Sequence, residues 1–538
     1  MVSTDGTQPN RTATGRVARS TLIVMGGFVS ALAVGLVRQA IVSSRFGTSA
    51  AYDAFSAANA IPELLYTMLS GGALAFAFIP IYSEVCLKGD RWDADRLLSQ
   101  VFNAILILAT VASTFLAVLA PILIRVSWGV APYFPADVQN LTVQLMRVLL
   151  LSTVIFSVSS ILTGALHAHQ HFLFPAIAPS VYSGGIIFGA LVLSPSIGIF
   201  GLAWGAVLGA CLHFLVQLPG LLMHRIRWIP VISFANPDLH RVAVLMAPRV
   251  IDLLMARASI EWLNNNLASG MGEGRVSALR YSYTLMNMPW TLIGVAIGTA
   301  VFPTMAAVAA HKDVESQRRA LSGALRAVLT LAIPAAVGLF VLGRSVIQVL
   351  FQRGEFTAES VELVYFALQF YVLTLISLSV LEVVVRAFAA QKDTLTPLLV
   401  SFFTTALNIG LALWLARPFG QGGLEHGGPP LANGIAVGVE ALTGLIILRF
   451  RWGGVDARRI VMDAAKALIA ATGMAGTILV LRAWLDPSPL LMLVLGGGGG
   501  ATVYLGLALL LGIQEMRTIP AALLRQLAGR LQGADAEV

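Results

Sequence analysis

Long apolar runs separated by short polar turns fill this chain from residue 21 to residue 513. About 20 predominantly apolar residues suffice to cross the hydrocarbon core of a bilayer as a helix. Fourteen runs reach that length, near 21–45, 53–84, 97–127, 140–167, 173–195, 199–223, 241–268, 277–311, 320–350, 359–390, 395–416, 430–450, 461–485 and 489–513. The pattern predicts an all-α polytopic membrane protein with about fourteen transmembrane helices. Ahead of the first run, residues 1–20 are polar, carry Arg11, Arg16 and Arg19, show no apolar period and are expected to form a flexible cytoplasmic tail. After the last run, residues 514–538 can set Ile519, Leu523, Leu524, Leu527 and Leu531 on one helical face, apart from Arg525 and Arg530. That is the pattern of a cytoplasmic amphipathic helix lying on the membrane, with a solvated tail as the alternative.

An internal repeat adds the architecture. Ala165-Leu-His-Ala-His-Gln-His-Phe-Leu-Phe-Pro175 matches Ala387-Phe-Ala-Ala-Gln-Lys-Asp-Thr-Leu-Thr-Pro397 in length, with Ala168/Ala390, Leu173/Leu395 and the closing prolines in register. Leu202 to Gly209 echoes Leu431 to Gly438. Each pair lies six spans apart, an even number, so the repeats run parallel about an axis along the membrane normal. The expectation is therefore two parallel-repeat six-helix lobes, residues 21–223 and 241–450, with two extra C-terminal helices in 461–513. Loops rich in Lys and Arg alternate with poorer ones. The former include those with Lys88, Arg91 and Arg96, with Arg225 and Arg227, with Lys312, Arg318 and Arg319, and with Arg449 to Arg459. By the positive-inside rule this places both termini in the cytoplasm, in agreement with an even number of spans.

Composition supports the membrane class and removes others. The chain is 57% hydrophobic and 12% charged, against about 45–50% apolar and about 25% charged in soluble domains. The net charge of +8 sits in loops, so it argues for membrane topology and not for nucleic acid. Cys86 and Cys211 match no metal or redox spacing. No zinc-protease, P-loop or Ser/His/Asp arrangement is present, the glycines from Gly496 to Gly500 follow no strand, and catalysis is not expected. His167, His169 and His171 alternate in a turn, but no carboxylate accompanies them, so a metal site is not expected there either.

The candidate chemistry lies where charge enters the apolar runs. An ionisable side chain at the centre of a span costs roughly 2.5–3.5 kcal/mol on insertion scales and as a rule faces a bundle interior or a wet cavity. Arg38 lies inside the first run, and its guanidinium suits a phosphate or carboxylate; snorkelling to the interface is the bland alternative. Asp53 opens the second run, where pairing with Arg38, coupling to a cation or capping a helix are the open roles, capping being the one its place at the head of a helix favours. Glu63 follows Pro62 deeper in the same run. The seventh run carries Arg249, Asp252, Arg257 and Glu261, of which Asp252 and Arg257 are the cavity candidates.

These motifs resemble the MurJ (MviN) lipid II flippase family of the multidrug/oligosaccharidyl-lipid/polysaccharide exporter superfamily. The resemblance covers almost the whole chain. It rests on Gly35-Leu-Val-Arg38, Phe46-Gly47, Asp53-Ala-Phe55, Ile61-Pro62-Glu-Leu-Leu65, Gly72-Ala73 and Phe78-Ile-Pro80-Ile-Tyr-Ser-Glu84. Pro248-Arg249, Phe302-Pro303, Phe351-Gln-Arg-Gly-Glu-Phe-Thr357 and the stretch from Arg386 to Pro397 extend it. The resemblance implies two six-helix lobes, an extra helix pair grooved for a lipid tail, and alternating-access transport of a lipid-linked peptidoglycan precursor between leaflets of the cell membrane. It implies that Arg38 is the cavity arginine and Asp53 the aspartate of the second span.

Where the family usually has Ser-Arg ahead of the first glycine this chain has Ala31-Leu32, and the acid after the arginine is Gln39. The paired arginines after Ile-Pro are Tyr66-Thr67, the following glutamate is Gly71, and the Asp-Arg of the eighth span is Tyr283-Thr284. The cationic cluster implied for the diphosphate is thereby reduced to Arg38, with Arg257 and Arg280 as substitutes. The expected partners are that precursor, membrane lipids and cell-wall synthesis enzymes, with no cofactor or metal and with cation or membrane-potential coupling as the drive. Two other readings stand beside it: an exporter of the same superfamily for another lipid-linked oligosaccharide or amphiphile, and a non-transporting scaffold for cell-wall synthesis.

Overall fold

The computed structural model describes residues 11–69, 72–87, 91–231, 233, 236–257 and 261–516. Among them every regular element is helical. Twelve helices are long and apolar enough, by length and composition, to cross a membrane. The chain is a multi-pass membrane protein. Its exposed surface agrees with this: Ile107, Leu108, Val111, Phe115, Val118 and Ile122 share one stripe of a single helix and all are exposed, the inverse of a water-soluble surface and the pattern of a face turned to lipid.

Two of the fourteen expected runs, 53–84 and 241–268, are not among these twelve; each includes residues outside the described ones, 70–71 and 258–260. The run at 53–84 becomes two helices, α2 (Ala50–Leu69) and α3 (Gly72–Leu87), the first with Asp53 and Glu63 inside it. The run at 241–268 becomes α10 (Pro237–Arg257) and the short α11 (Leu263–Ala268), and α10 holds Asp238, Arg241, Arg249, Asp252 and Arg257. At the N-terminus, α1 (Arg11–Phe46) is already helical through the polar segment expected to be a flexible tail up to residue 20; with no Pro there, Arg and Ala continue the helix readily. The amphipathic helix expected at 514–538 lies outside the described residues from 517 onward.

The chain divides into two compact units, residues 1–262 and 263–538. In the first, α1 is followed by α2, α3, α4 (Arg91–Arg125), α5 (Ala136–Ala168), α6 (Leu173–Phe188), α7 (Ser194–Ile197), α8 (Phe200–Leu215), α9 (Leu218–Met223) and α10. Helix α1 packs on α6, α2 on α5, α4 on α5, and both α5 and α6 on α8. Helix α10, counted in sequence terms with the second half, packs on α3 and α2 of this unit, and Arg241 pairs with Glu84 at 3.3 Å. A π-helical turn at Gly189–Leu193 joins α6 to α7. Glycines let α6 and α8 touch backbone to backbone: a Cβ on Gly185 would stand 2.4 Å from the Gly209 Cα.

The second unit holds α11, α12 (Arg275–Trp290), α13 (Ala296–Ala310), α14 (Val314–Phe351), α15 (Ala358–Ala390), α16 (Leu395–Leu415), α17 (Gly428–Trp452), α18 (Ala457–Leu485) and α19 (Pro489–Leu510). Helix α15 is central, packed on α12, α13, α14 and α17, while α18 and α19 pack on α14. A second π turn, Thr291–Val295, joins α12 to α13. Arg326 on α14 binds Asp463 of α18 at 3.3 Å and Glu515 beyond α19 at 2.9 Å, which ties the last two helices to the unit by a largely buried ionic cluster.

The repeat found in the sequence folds into the same turn twice. Gln170 and Lys392 are both left-handed, with φ of 57° and 60°. His171 N–H donates to Leu166 O and Asp393 N–H to Phe388 O, each closing the preceding helix. The partners differ. Asp393 is held below the usual carboxylate range, at about 2: burial opposes this, but the N–H and hydroxyl of Thr396 and the Arg451 guanidinium outweigh it. At the matching position His171 meets His224 with ring centroids 5.5 Å apart, and His224 also meets His169 at 5.0 Å.

Candidate functional site

The site begins inside α2. Pro62 has no N–H to give the Ala58 carbonyl, and its own carbonyl accepts a hydrogen bond from Thr153 Oγ1 of α5 at 3.3 Å. Glu63 follows immediately, half-buried, and accepts from Asn59 Nδ2 at 2.9 Å, one turn back on the same face. Tyr66 lies three residues on, so it shares that face too. Its phenol feels the charge-bearing groups of Tyr182 and Glu63.

Arg38 is half-buried on α1. Its guanidinium donates to Ser183 Oγ of α6 at 3.4 Å, and not to Asp53 or Glu63. Beside Ser183, the Tyr182 ring meets Phe156 of α5 edge-on at 4.6 Å, and Phe156 meets Tyr66 at 5.3 Å and His213 of α8 at 5.0 Å. Behind the aromatic group, Ser159 Oγ contacts His213 Nδ1 at 2.7 Å, Gln217 Nε2 donates to Ser159 Oγ at 2.9 Å, and Thr163 Oγ1 donates to Gln217 Oε1 at 2.7 Å. The first unit thus gathers one guanidinium, one carboxylate, hydroxyls and three rings from α1, α2, α5 and α6, backed by an imidazole on α8. Such a cluster can hold a polar, partly anionic group inside an apolar body, because its own polar atoms are already oriented.

The remaining sequence candidates separate from this cluster. Asp53 is almost wholly buried in the first turn of α2, where the positive end of the helix favours a carboxylate; the cap itself is Ser49, whose Oγ accepts from the Tyr52 N–H at 3.4 Å. Asp252 and Arg257 lie on α10, and their side chains are outside the described residues. Arg280 is half-buried on α12 in the second unit, its carbonyl accepting from Thr284 Oγ1. Sequence reasoning missed Asn59, Tyr66, Phe156, Tyr182 and Ser183; the i, i+3 and i, i+4 spacing of Asn59, Glu63 and Tyr66 was the available signal. It also missed Arg386 as part of a pair: on α15 it donates to Glu382 at 2.7 Å and to Thr299 Oγ1 at 3.3 Å, and lies 5.9 Å from the Phe302 ring centre. Among the described residues no group of three His, Cys, Asp or Glu could hold a metal.

A buried polar cluster inside an all-helical multi-pass bundle defines a transporter-like membrane protein, and the fold has relatives of that class. It is similar to an inward-facing MATE family multidrug resistance transporter of the MOP superfamily, with a TM-score of 0.68 and 16% identity over 80% of this chain and 96% of that one. It is also similar to a structure described as lipid II flippase MurJ in an inward closed conformation, with a TM-score of 0.75 and 21% identity over 90% and 98% of the two chains. Among curated relatives, the lipid II flippase MurJ of Burkholderia cenocepacia is 30% identical over 449 residues, 80% of this chain and 84% of that protein. The probable lipid II flippase MurJ of Vibrio cholerae is 28% identical over 525 residues, 94% and 98%. The family profile described as lipid II flippase MurJ matches residues 42–494, and the chain belongs to that family.

Proposed function

We propose that this protein is a lipid II flippase, carrying the undecaprenyl-diphosphate-linked peptidoglycan precursor from the inner to the outer leaflet of the cell membrane by alternating access. The observation that carries the reading is Arg38 held by Ser183, the residue after Tyr182 on α6, in a chain of the lipid II flippase family. A diphosphate needs a guanidinium out of bulk water, where charge-assisted hydrogen bonds are strong, while a polyprenyl tail needs only the apolar surface that covers the helices. In this reading the bundle has fourteen spans in two parallel repeats plus a C-terminal pair, with α2/α3 and α10/α11 as the two charged spans and both termini in the cytoplasm. Cation or membrane-potential coupling would drive the cycle, with Asp53 as a candidate group. Asp252, Arg257 and Arg280 would supply further polar contacts, and cell-wall synthesis enzymes would receive the product.

The test is complementation of a strain depleted of its own flippase. Arg38→Ala is expected to abolish growth at normal expression, and Arg38→Lys to restore it only in part, since an ammonium lacks the bidentate fork. Full growth with Arg38→Ala removes Arg38 as the headgroup contact. The replacement of the family's paired arginines by Tyr66 and Thr67 favours comparison with a second reading, export of another lipid-linked oligosaccharide; a flipping assay that moves such a glycan and not lipid II would select it.

A further inference from the structure

The aromatic group beside Arg38 has a geometry that packing alone does not require. The core rings of the same unit, Phe78 and Tyr82, are 0% and 1% exposed, whereas Tyr66, Phe156 and Tyr182 all stay partly open. Phe156 is inclined by 58° to Tyr66 and by 76° to Tyr182, so it braces both tyrosines without lying flat on either. These rings do not belong to a lipid-facing surface. Tyr66 shares its face of α2 with Glu63, and Tyr182 adjoins the serine that binds Arg38; charged side chains in a span turn away from hydrocarbon.

Building on the flippase reading, we propose that Tyr66 and Tyr182, braced by Phe156, form a saccharide platform: their rings take the apolar C–H face of a sugar of the headgroup while Arg38 holds its phosphate. A pyranose carries hydroxyls around its edge and a patch of C–H groups on its face. An aromatic ring covers that patch and adds the aromatic contact energy beyond simple burial. This chain has one guanidinium in the cluster among the described residues, so the rings supply the recognition that charge alone does not. Tyr66 and Tyr182 are in this account specificity-determining residues: they discriminate a glycan-bearing diphosphate from a bare one.

The experiment titrates purified protein in lipid nanodiscs with two probes, lipid II and undecaprenyl diphosphate, which has the same tail and diphosphate but no sugar. Tyr66→Leu and Tyr182→Leu are each expected to weaken lipid II binding about two- to tenfold and to leave undecaprenyl diphosphate binding unchanged. Tyr66→Phe and Tyr182→Phe keep the ring and are expected to keep lipid II affinity. Arg38→Ala should weaken both probes. The platform is overturned if the Leu variants lose both probes equally, if they lose neither, or if the Phe variants fall as far as the Leu variants. Absence of lipid II binding by the wild-type protein overturns the flippase reading itself and the platform with it, and is told apart because the wild type then binds no better than the variants. Elution of every variant as a single monodisperse peak, with the Phe pair as folded reference, separates lost binding from lost fold.

Discussion

Gly184 and Gly185 are chain neighbours on α6, and alanine at the two positions should move stability in opposite directions. At Gly185 an added Cβ would stand 2.4 Å from both the Cα and N of Gly209 and 3.0 Å from the Gly205 carbonyl oxygen. All three are backbone atoms of α8, so no side chain can swing aside, and α6 and α8 must part by about 1 Å to restore ordinary contact. Overpacking of this kind costs about 1–3 kcal/mol, and helix propensity returns about 0.8–1.0 kcal/mol on replacing Gly by Ala. The balance at Gly185 is a loss of up to about 2 kcal/mol. At Gly184 the space within 4 Å is empty, so the propensity gain stands alone. Thermal unfolding of purified protein, followed by size-exclusion of heated samples, should therefore place Gly185→Ala a few degrees below the wild type and Gly184→Ala at or above it. Equal shifts for the two would refute the claim that backbone contact between α6 and α8 sets the position of α6. The consequence reaches the site: a Cβ on Gly209 would meet the Tyr182 carbonyl oxygen at 2.5 Å, so Gly209→Ala is the variant of this stripe that should also lower transport.

Two further outcomes follow from charge. Arg326 is 20% exposed and its partners Asp463 and Glu515 are 10% and 9% exposed, so Arg326→Met, which removes the guanidinium the two carboxylates share, should cost up to about 3–5 kcal/mol. Asp463 keeps Lys466 at 3.7 Å, so the loss centres on Glu515; adding Glu515→Leu should recover much of it in the same melting assay, and a double variant worse than the single one would show that the cluster stabilises in its own right. His224 is pushed below its ordinary pKa by loss of solvent and then by His169 and His171. The unfolded chain therefore takes up its proton first, so stability is full above about pH 6.5 and declines as the pH falls below that value. His224→Phe should flatten the fall in melting temperature between pH 7 and pH 5; an unchanged slope would refute the lowered pKa of His224.

Hydrophobic period made the membrane class, most helix positions and the repeated turn legible, because each of these is local: a helix end at Gln170 or Lys392 is written in the residues around it. The cluster at Arg38 was legible only in part. Arg38 and Glu63 could be picked out as charges in apolar runs, but Ser183 is 145 residues from the arginine it binds, and no period along one helix says which face of another it will meet. For the same reason the sequence offered three alternating histidines and not His224, the ring that meets two of them. In the two runs that are not among the twelve, the helices long enough to be judged by composition, α2 and α10, are the ones where sequence reasoning placed Asp53, Glu63, Asp252 and Arg257. A hydropathy window averages over all faces of a helix, so it registers the surface turned to lipid and is diluted by the minority of positions turned inward. Charge inside a run therefore weakens the evidence for a span and strengthens the evidence for a site at the same residues, and Glu63, next to Pro62 of α2 and on the face it shares with Tyr66, is where both effects coincide.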